Sequence, residues 1–210
     1  AARPRVMTLR TPAPDRRRAL IDATLSIIAE RGFAETTVAR ICDAAGVSRG
    51  LISHYFAGKD ALLMEAYRAL SHELAAETAK AMQGRAGDPV GSLRALVEVS
   101  FRPPVFEADK ISAWLAFWSA ARGSAALNAL NRELYRGYRA AVTRLMAEAA
   151  RSRGAALDGH RAATALTALI DGLWLEHALD PEAFGADQAE AACLDYLDRL
   201  FPRETEKHVS

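Results

Sequence analysis

The chain has 210 residues, half of them hydrophobic, and this composition argues against disorder over most of its length. Its net charge of +1 is unevenly spread, because residues 1–60 carry ten Lys or Arg against six Asp or Glu, whereas residues 61–210 carry seventeen against twenty. The first segment therefore suits a polyanionic partner and the second does not. No apolar run approaches the roughly 20 residues of a membrane-spanning helix, so we expect no membrane partner.

The first predicted segment, residues 1–14, is a disordered basic arm with three arginines and three prolines. Arms of this composition either solubilise a protein or enter the minor groove of DNA. A helix is predicted next, from about Asp15 to Arg31, because apolar residues recur at helical spacing and Gly32 follows where a C-terminal cap is expected.

Two short helices joined by a tight turn are predicted after it, the arrangement of a helix-turn-helix motif. The first covers Val38–Ala45 with Thr37 as its N-cap, and Gly46 ends it because glycine tolerates the left-handed backbone of such a turn. Ser48 is expected to cap the second helix, which extends through Phe56. An ordinary helical hairpin is the alternative interpretation.

The second short helix has two different faces. The side chains predicted to point inward are those of Ile52, Tyr55 and Phe56. The residues predicted to point outward are Gly50, Ser53 and His54. A helix with such an outer face can enter the major groove of DNA, which is about 12 Å wide. The sequence therefore favours DNA binding over a purely structural hairpin.

Six further helices complete the predicted fold. They cover about Lys59–Gln83, Pro89–Phe101, Ala108–Arg122, Ala125–Arg153, Gly159–Asp180 and Asp187–Phe201. The prediction is thus an all-α protein of nine helices without a confident strand. Residues 15–60 form a helix-turn-helix DNA-binding domain, residues 61–201 an all-helical ligand-binding and dimerisation domain, and residues 202–210 a flexible tail.

Residues that would indicate redox or metal chemistry are few and scattered. Cys42 and Cys193 lie in different predicted helices, which indicates buried free thiols in a reducing cytoplasm. The five histidines show no metal-ligand spacing, and the sequence contains no recognisable nucleophile–base pair or phosphate-binding loop. We therefore predict no metal, no cofactor and no enzymatic activity.

A set of residues in the N-terminal segment carries a family resemblance. It spans about Arg16–Leu63 and includes Gly32-Phe33, Thr36-Thr37, Ile41, Ala45-Gly46-Val47-Ser48, Gly50, His54-Tyr55-Phe56 and Lys59. This set resembles the TetR family of transcriptional regulators. The resemblance implies a homodimer whose two recognition helices read a palindromic operator, and a ligand domain that releases the DNA when a small molecule is bound.

Strings in both predicted domains carry a narrower resemblance. They are Gly50-Leu51-Ile52-Ser53-His54-Tyr55-Phe56, Arg17-Arg18 with Leu20-Ile21-Asp22-Ala23-Thr24-Leu25, Ala113-Trp114-Leu115-Ala116-Phe117-Trp118, and Ala168-Leu169-Ile170-Asp171-Gly172-Leu173-Trp174-Leu175. These strings resemble the BetI type, the choline-sensing repressors of glycine betaine synthesis. The resemblance implies choline as effector and choline-to-glycine betaine genes as targets. Pro103-Pro104 departs from the type.

The resemblance also carries DNA contacts onto individual positions. It implies base contacts from Arg49, Gly50, Leu51 and Ser53, and phosphate contacts from His54, Tyr55 and Lys59. Arg49 can donate two hydrogen bonds to O6 and N7 of guanine. Lys59 adds a cation to the outward-pointing amides at the start of its helix. Thr37 is counted with these residues, although it is first a helix cap, and Tyr55 equally suits the core.

Aromatic residues and a carboxylate in the second domain suggest a cage for a cation. Its candidate members are Trp114, Phe117, Trp118 and Trp174, with Asp171 or Glu98 as the anion. A quaternary ammonium has no N–H to donate, so it is held by aromatic faces, at roughly 0.5–2 kcal/mol per contact, and by a nearby carboxylate. Aromatics at helical spacing equally suit a core. The BetI resemblance is what favours choline.

The last two predicted helices suggest a dimer surface. The residues expected to form it are Ala163, Leu166, Leu169, Ile170 and Leu173 on one helix and Ala189, Ala192, Cys193, Tyr196 and Leu197 on the other. Two such helices from each subunit would form a four-helix bundle about a two-fold axis. The alternative functions are a repressor that senses another hydrophobic or cationic molecule and, from a different class, an all-α enzyme or carrier.

Overall fold

The computed structural model describes residues 13–202, and within that range the fold is helical throughout. Its elements are α1 (Ala13–Arg31), α2 (Val38–Ala45), α3 (Gly50–Tyr55), α4 (Lys59–Ala81), α5 (Pro89–Ser100), α6 (Ala108–Ala121), α7 (Ala125–Arg153), α8 (Gly159–Leu179) and α9 (Ala186–Leu200). Most of the predicted arm, residues 1–14, and of the predicted tail, residues 202–210, lies outside the described range. None of the helices just named combines the length and apolarity needed to cross a lipid bilayer.

The helix ends follow local signals in the sequence, with one exception. The Thr37 hydroxyl accepts a hydrogen bond from Arg40 N at 3.3 Å, and Gly46 ends α2 in the left-handed region at φ 64°. The exception is Ser48, which does not occupy the predicted N-cap position. Arg49 is the N-cap residue of α3, while the backbone carbonyl of Ser48 accepts from Leu51 N at 3.0 Å. The chain therefore turns into α3 one residue later than predicted.

Helix α1 joins the DNA-binding helices to the rest of the molecule. It packs against α2, α4 and α6, and its predicted inner stripe is buried. That stripe consists of Leu20, Thr24, Ile27 and Ile28. Arg17 of α1 also forms an ion pair with Glu65 of α4, with 2.5 Å between Nη2 and Oε2. One hydrophobic cluster thus extends from α1 into the later helices of the described range, which fixes the N-terminal helices against them.

Helices α5, α7, α8 and α9 form the larger part of the fold. Helix α5 contacts α4, α7 and α9, and it is buried along most of its length. The loop from α5 to α6, which contains Pro103-Pro104, is anchored by Arg102. Its guanidinium donates to both carboxylate oxygens of Glu190 in α9, at 2.9 and 3.1 Å. Phe106 of the same loop packs near Trp174 of α8, with 6.3 Å between the ring centroids.

The structure leaves only part of the predicted dimer surface on α8 and α9 exposed. Six of the ten expected residues are buried within the chain's own core, namely Ala163, Leu166, Ile170, Ala189, Cys193 and Leu197. Their burial has a simple cause, because α8 and α9 pack on each other and on α5, α6 and α7. The large apolar side chains that are exposed in the described range are instead Leu175 and Leu179, at 44% and 76% exposure. Both lie on the outer face of α8.

Candidate DNA-binding helix and ligand cavity

Helix α3 presents the outer face that the sequence predicts. Ile52 and Phe56 are buried, at 3% and 6% exposure, and Tyr55 is half-buried. The exposed residues at this helix are Arg49, Gly50, Ser53 and His54. Because its apolar side chains are buried in the hydrophobic core, the opposite side is free to meet another molecule. Its length of six residues suits insertion into a major groove.

The remaining predicted DNA-binding residues lie around α3. Leu51 and Lys59 are half-buried, and Thr37 is exposed while its hydroxyl caps α2. Lys59 is the first residue of α4, where the unpaired backbone amides point out of the helix. A methyl group added at Gly50 would meet no protein atom within 4 Å. The fold itself therefore does not require glycine at Gly50, which directs attention to what approaches from outside.

A cavity of about 450 Å³ lies within the second part of the molecule, lined by α4, α5, α6, α7 and α8. Its wall is mostly apolar. The residues that bring polar or charged groups to it are Ser71, Thr78, Ser100, Tyr135, Tyr138, Arg144 and Asp171, together with the indoles of Trp114, Trp118 and Trp174. A cavity of this size and character is typical of a small-molecule site.

Five aromatic rings follow one another along the inner wall of the cavity. The centroid distances are 6.4 Å from Trp174 to Trp114, 6.1 Å from Trp114 to Trp118, 6.1 Å from Trp118 to Tyr135 and 6.5 Å from Tyr135 to Tyr138. Successive ring planes are inclined by 49° to 76°. The rings consequently form a curved wall of aromatic faces and edges, rather than a parallel stack.

Asp171 places a carboxylate beside these rings. Tyr135 donates a hydrogen bond from its hydroxyl to Oδ2 of Asp171 at 3.3 Å. Burial raises the pKa of Asp171 to about 6, although the Tyr135 hydrogen bond and the charge of Arg139 act in the opposite direction. Burial, reinforced by the nearby Asp171 carboxylate, also raises the pKa of Tyr135 and Tyr138. Both phenols are therefore neutral hydrogen-bond donors at physiological pH.

The structure brings four of the five predicted ligand residues to one cavity, namely Trp114, Trp118, Asp171 and Trp174. Trp174 is fixed there because its indole N–H donates to the carbonyl of Ser100 at 3.0 Å. Phe117 does not line the cavity. It is fully buried and stacks on Tyr67, at 4.5 Å with the rings nearly parallel. Helix geometry explains the difference, since Phe117 is turned toward α4 and α1 when Trp114 and Trp118 face the cavity.

Tyr135 and Tyr138 are the cavity residues that the sequence analysis missed. They lie three residues apart in α7, so they share one helix face. The same spacing drew attention to Trp114 and Phe117, and it would have identified this pair as well. Glu98, the alternative anion, is absent from the described wall of the cavity, as are the residues of the Pro103-Pro104 loop.

Buried aromatic contacts connect the cavity with the DNA-binding helices. Trp114 meets Tyr67 of α4 at 5.4 Å, and Phe117, stacked on Tyr67, meets Phe33 at 5.9 Å. Phe33 lies in the segment between α1 and α2, immediately before the helix-turn-helix. A continuous path of packed aromatic side chains thus runs from the cavity wall to the segment that precedes the DNA-binding helices.

An exposed recognition helix joined to an aromatic cavity defines a ligand-responsive regulator of the helix-turn-helix class. Two family models match the chain. Residues 20–66 match "Bacterial regulatory proteins, tetR family", and residues 89–202 match "BetI-type transcriptional repressor, C-terminal". The chain therefore belongs to the TetR family, and its C-terminal part is of the BetI type.

Similar proteins agree with this assignment. The chain is 36% identical over 200 residues to the HTH-type transcriptional regulator BetI 1 of Chromohalobacter salexigens, an alignment that covers 91% of this chain and 93% of that protein. A solved structure from Pseudomonas aeruginosa PAO1, described as a transcriptional regulator, has a TM-score of 0.82 and 36% identity, covering 93% of this chain and 94% of that one. A regulator from Saccharomonospora viridis in complex with choline shares the fold, with a TM-score of 0.79 and 23% identity. The match covers 88% of this chain and 96% of that one.

Membership of this family settles the class of function. The protein is a DNA-binding transcriptional repressor and not an enzyme. TetR-family repressors bind operator DNA as dimers and respond to small-molecule effectors. The predicted class, fold and type of partner are thereby confirmed.

Proposed function

We propose that the effector of this repressor is choline or a close quaternary ammonium compound, and that the repressor controls choline-to-glycine betaine genes in the cytoplasm. The observation that carries the proposal is the curved aromatic wall beside the Asp171 carboxylate. Two comparisons support it, namely the BetI type of the C-terminal part and the choline complex of the regulator from S. viridis.

The chemistry of the cavity suits a trimethylammonium group. Such a group is weakly hydrated, cannot donate an N–H hydrogen bond, and needs aromatic walls on several sides. Trp114, Trp118 and Trp174 supply rings from two helices, and Tyr135 and Tyr138 extend the wall on a third. Asp171 balances the charge. Each ring contact contributes roughly 0.5–2 kcal/mol, so several together provide selectivity for the cation.

The DNA-binding role is assigned to residues on and beside α3. Arg49, Gly50, Leu51 and Ser53 are proposed to contact bases, and His54, Tyr55 and Lys59 to contact phosphates, with Thr37 beside them. The exposure of Arg49, Gly50, Ser53 and His54 supports this division. Tyr55 is the member best explained by packing, because it is half-buried against the hydrophobic core.

The effector is proposed to act on the spacing of the two recognition helices in the dimer. Helix α4 supplies cavity residues from Ser71 to Ala79 and begins, at Lys59, next to α3. A ligand that favours one position of α4 shifts the population of dimers away from the DNA-binding arrangement. It does so only to the extent that it binds the two arrangements with different affinity.

Calorimetric titration of the full chain with choline tests the effector directly. Tetramethylammonium keeps the charge, and 3,3-dimethylbutanol keeps the shape without the charge. We expect choline and tetramethylammonium to bind and the neutral alcohol to bind much more weakly. No heat and no thermal shift with millimolar choline would refute the effector, whereas the TetR assignment would stand. If Trp114→Ala and Trp174→Ala both left choline binding intact, the cation would have to be held elsewhere.

A further inference from the structure

The cavity is larger than choline requires. An engineered cavity of roughly 150 Å³ is sufficient to bind benzene, a molecule of six non-hydrogen atoms. The cavity here measures about 450 Å³. On the same scale it has room for roughly 18 non-hydrogen atoms, whereas choline has seven. Choline alone would leave more than half of the space without ligand atoms.

The cavity is closed on one side and open on the other. The aromatic end is closed, since Trp114, Trp174 and Ser100 are buried there. The exposed residues of the wall lie on α4 and α7, so the cavity opens to solvent along the seam between these two helices. Small residues line that seam, namely Ala75 and Ala79 on α4 and Gly137 and Ala141 on α7. Their short side chains leave a passage that a Leu or Phe at the same positions would fill.

The wall between the closed end and the seam is mostly apolar. Leu74, Met82, Leu134 and Leu145 form much of it. The hydroxyl of Thr78, which also lies there, donates to the carbonyl of Leu74 at 2.8 Å and is therefore already engaged. Arg144 lies at the exposed end of the seam and disfavours a second cation.

We infer that this repressor recognises a quaternary ammonium compound that carries an apolar chain of about four to eight carbons. The cationic head lies against the aromatic wall and Asp171, and the chain extends along the seam between α4 and α7. This inference rests on the proposed function, because it takes the same aromatic end as the site of the cationic head. It adds the class of substituent, which choline itself lacks.

A homologous series of alkyltrimethylammonium salts tests the inference on the full chain. Tetramethylammonium and the butyl, hexyl and octyl compounds are titrated by calorimetry, with hexanol as the uncharged control. Each methylene that enters the cavity is expected to tighten binding by about threefold to fourfold. The octyl compound should therefore bind on the order of a hundredfold more tightly than the butyl compound. Hexanol should bind more weakly than hexyltrimethylammonium.

Two variants test where the alkyl chain of the ligand lies. Ala75→Leu narrows the seam, and Ala76→Leu makes the same change at the neighbouring exposed residue, which is not part of the described cavity wall. We expect Ala75→Leu to weaken octyltrimethylammonium binding at least tenfold without changing that of tetramethylammonium. Ala76→Leu should change neither affinity. Circular dichroism of each variant verifies that the helices are intact.

The outcomes separate the two proposals. Equal affinity for all members of the series, with tetramethylammonium still bound, overturns the inference that the ligand carries an apolar chain. The proposed function then stays in place. Failure of every cation to bind overturns the proposed function and the inference with it. Binding of hexanol as tight as that of its ammonium counterpart overturns both as well, because the cation would then contribute nothing. Octyl binding that Ala75→Leu does not weaken overturns the placement along the seam.

Discussion

Asp171 is the one carboxylate among the described residues that line the cavity, and its pKa is raised to about 6, chiefly by burial. The groups that face it are Tyr135, Tyr138, Tyr67 and Arg139. Choline does not titrate, so a change in its affinity near pH 6 reports on Asp171. The carboxylate must be ionised to balance the cation, and protonation removes that balance.

Choline affinity is accordingly expected to depend on pH in one direction. It should be level above about pH 7 and fall by up to about tenfold per unit as the pH drops below 6. Asp171→Asn should bind choline weakly and remove this pH dependence, while preserving an acceptor for the Tyr135 hydroxyl. Titrations from pH 5 to 8 provide the measurement. An unchanged profile in the Asn variant would show that Asp171 is not the counter-ion.

The same residue affects stability with the opposite sign from an ordinary ion-paired carboxylate. Its pKa is higher in the folded than in the unfolded chain, so the folded state binds more protons and loses stability as pH rises from about 4 to 6. Asp171→Asn should therefore raise the free energy of unfolding of the ligand-free protein at pH 7, by about 3 kcal/mol. Chemical denaturation of both proteins at pH 4 and pH 7 provides the measurement, and the difference between them should be much smaller at pH 4.

Arg49 and Lys59 are expected to contribute to DNA binding in different ways. Arg49→Ala should weaken operator binding by roughly 1–3 kcal/mol and relax the preference at one position of each half-site. Lys59→Ala should weaken binding to all sequences similarly and reduce the salt slope by about one. Binding-site selection and anisotropy over a range of salt concentrations distinguish the two. If the Arg49→Ala variant kept the sequence preference, the proposed contact between Arg49 and the bases would be wrong.

At the scale of elements, α8 has one buried face and one exposed face. Its buried face holds Ile170 and Trp174 against the core and cavity, and its outer face leaves Leu175 and Leu179 exposed. Leu197 of α9, expected from sequence at the dimer surface, is 1% exposed within the single chain. Replacing it would damage the fold of the subunit and would say little about dimerisation.

The outer face of α8 is therefore the better place to test the dimer. The double change Leu175→Glu and Leu179→Glu should dissociate the dimer, because association would bury unpaired carboxylates. Light scattering at micromolar concentration measures the mass. Ala129→Glu, at an exposed position of α7, is the matched control and should remain dimeric. A dimer that survives the double change would place the interface on another face.

At the scale of the whole molecule, the cavity and the DNA-binding helices share one continuous core. Phe117 occupies the junction, between Tyr67 of α4 and Phe33 before α2. It contacts neither the cavity nor the exposed face of α3 in the described structure. This position suits a residue that couples the two sites without binding either partner.

Phe117→Leu is expected to loosen that coupling. The factor by which choline weakens operator binding, which typically corresponds to 1–3 kcal/mol, should decrease in this variant. The affinity for choline alone and the affinity for operator alone should each change by less than this factor does. Operator titrations with and without saturating choline measure the coupling factor. Phe201→Leu removes a ring of the same size from the buried end of α9 and is the control. Equal loss of coupling in both variants would indicate general softening of the core.

The sequence by itself determined the nine helices of the described range, the turn at Gly46 and the outward residues of α3. These features depend on contacts within a few residues along the chain, such as caps, glycine breaks and helical periodicity. The motif residues also identified the family, because the spacing of a helix-turn-helix is local. The same local rules placed Trp114 and Trp118 on one face.

Only the tertiary structure decided what those faces meet. Periodicity shows that Phe117 lies near Trp114 on α6, but the packing of α1 and α4 decides that Phe117 is core and Trp114 is wall. It likewise brings Tyr135 and Tyr138 of α7 to the cavity and turns Leu197 inward. The volume of the cavity follows from the separation of five helices. The physical reason is that a helix fixes which of its residues share a face, whereas the partner of each face is set by distant segments.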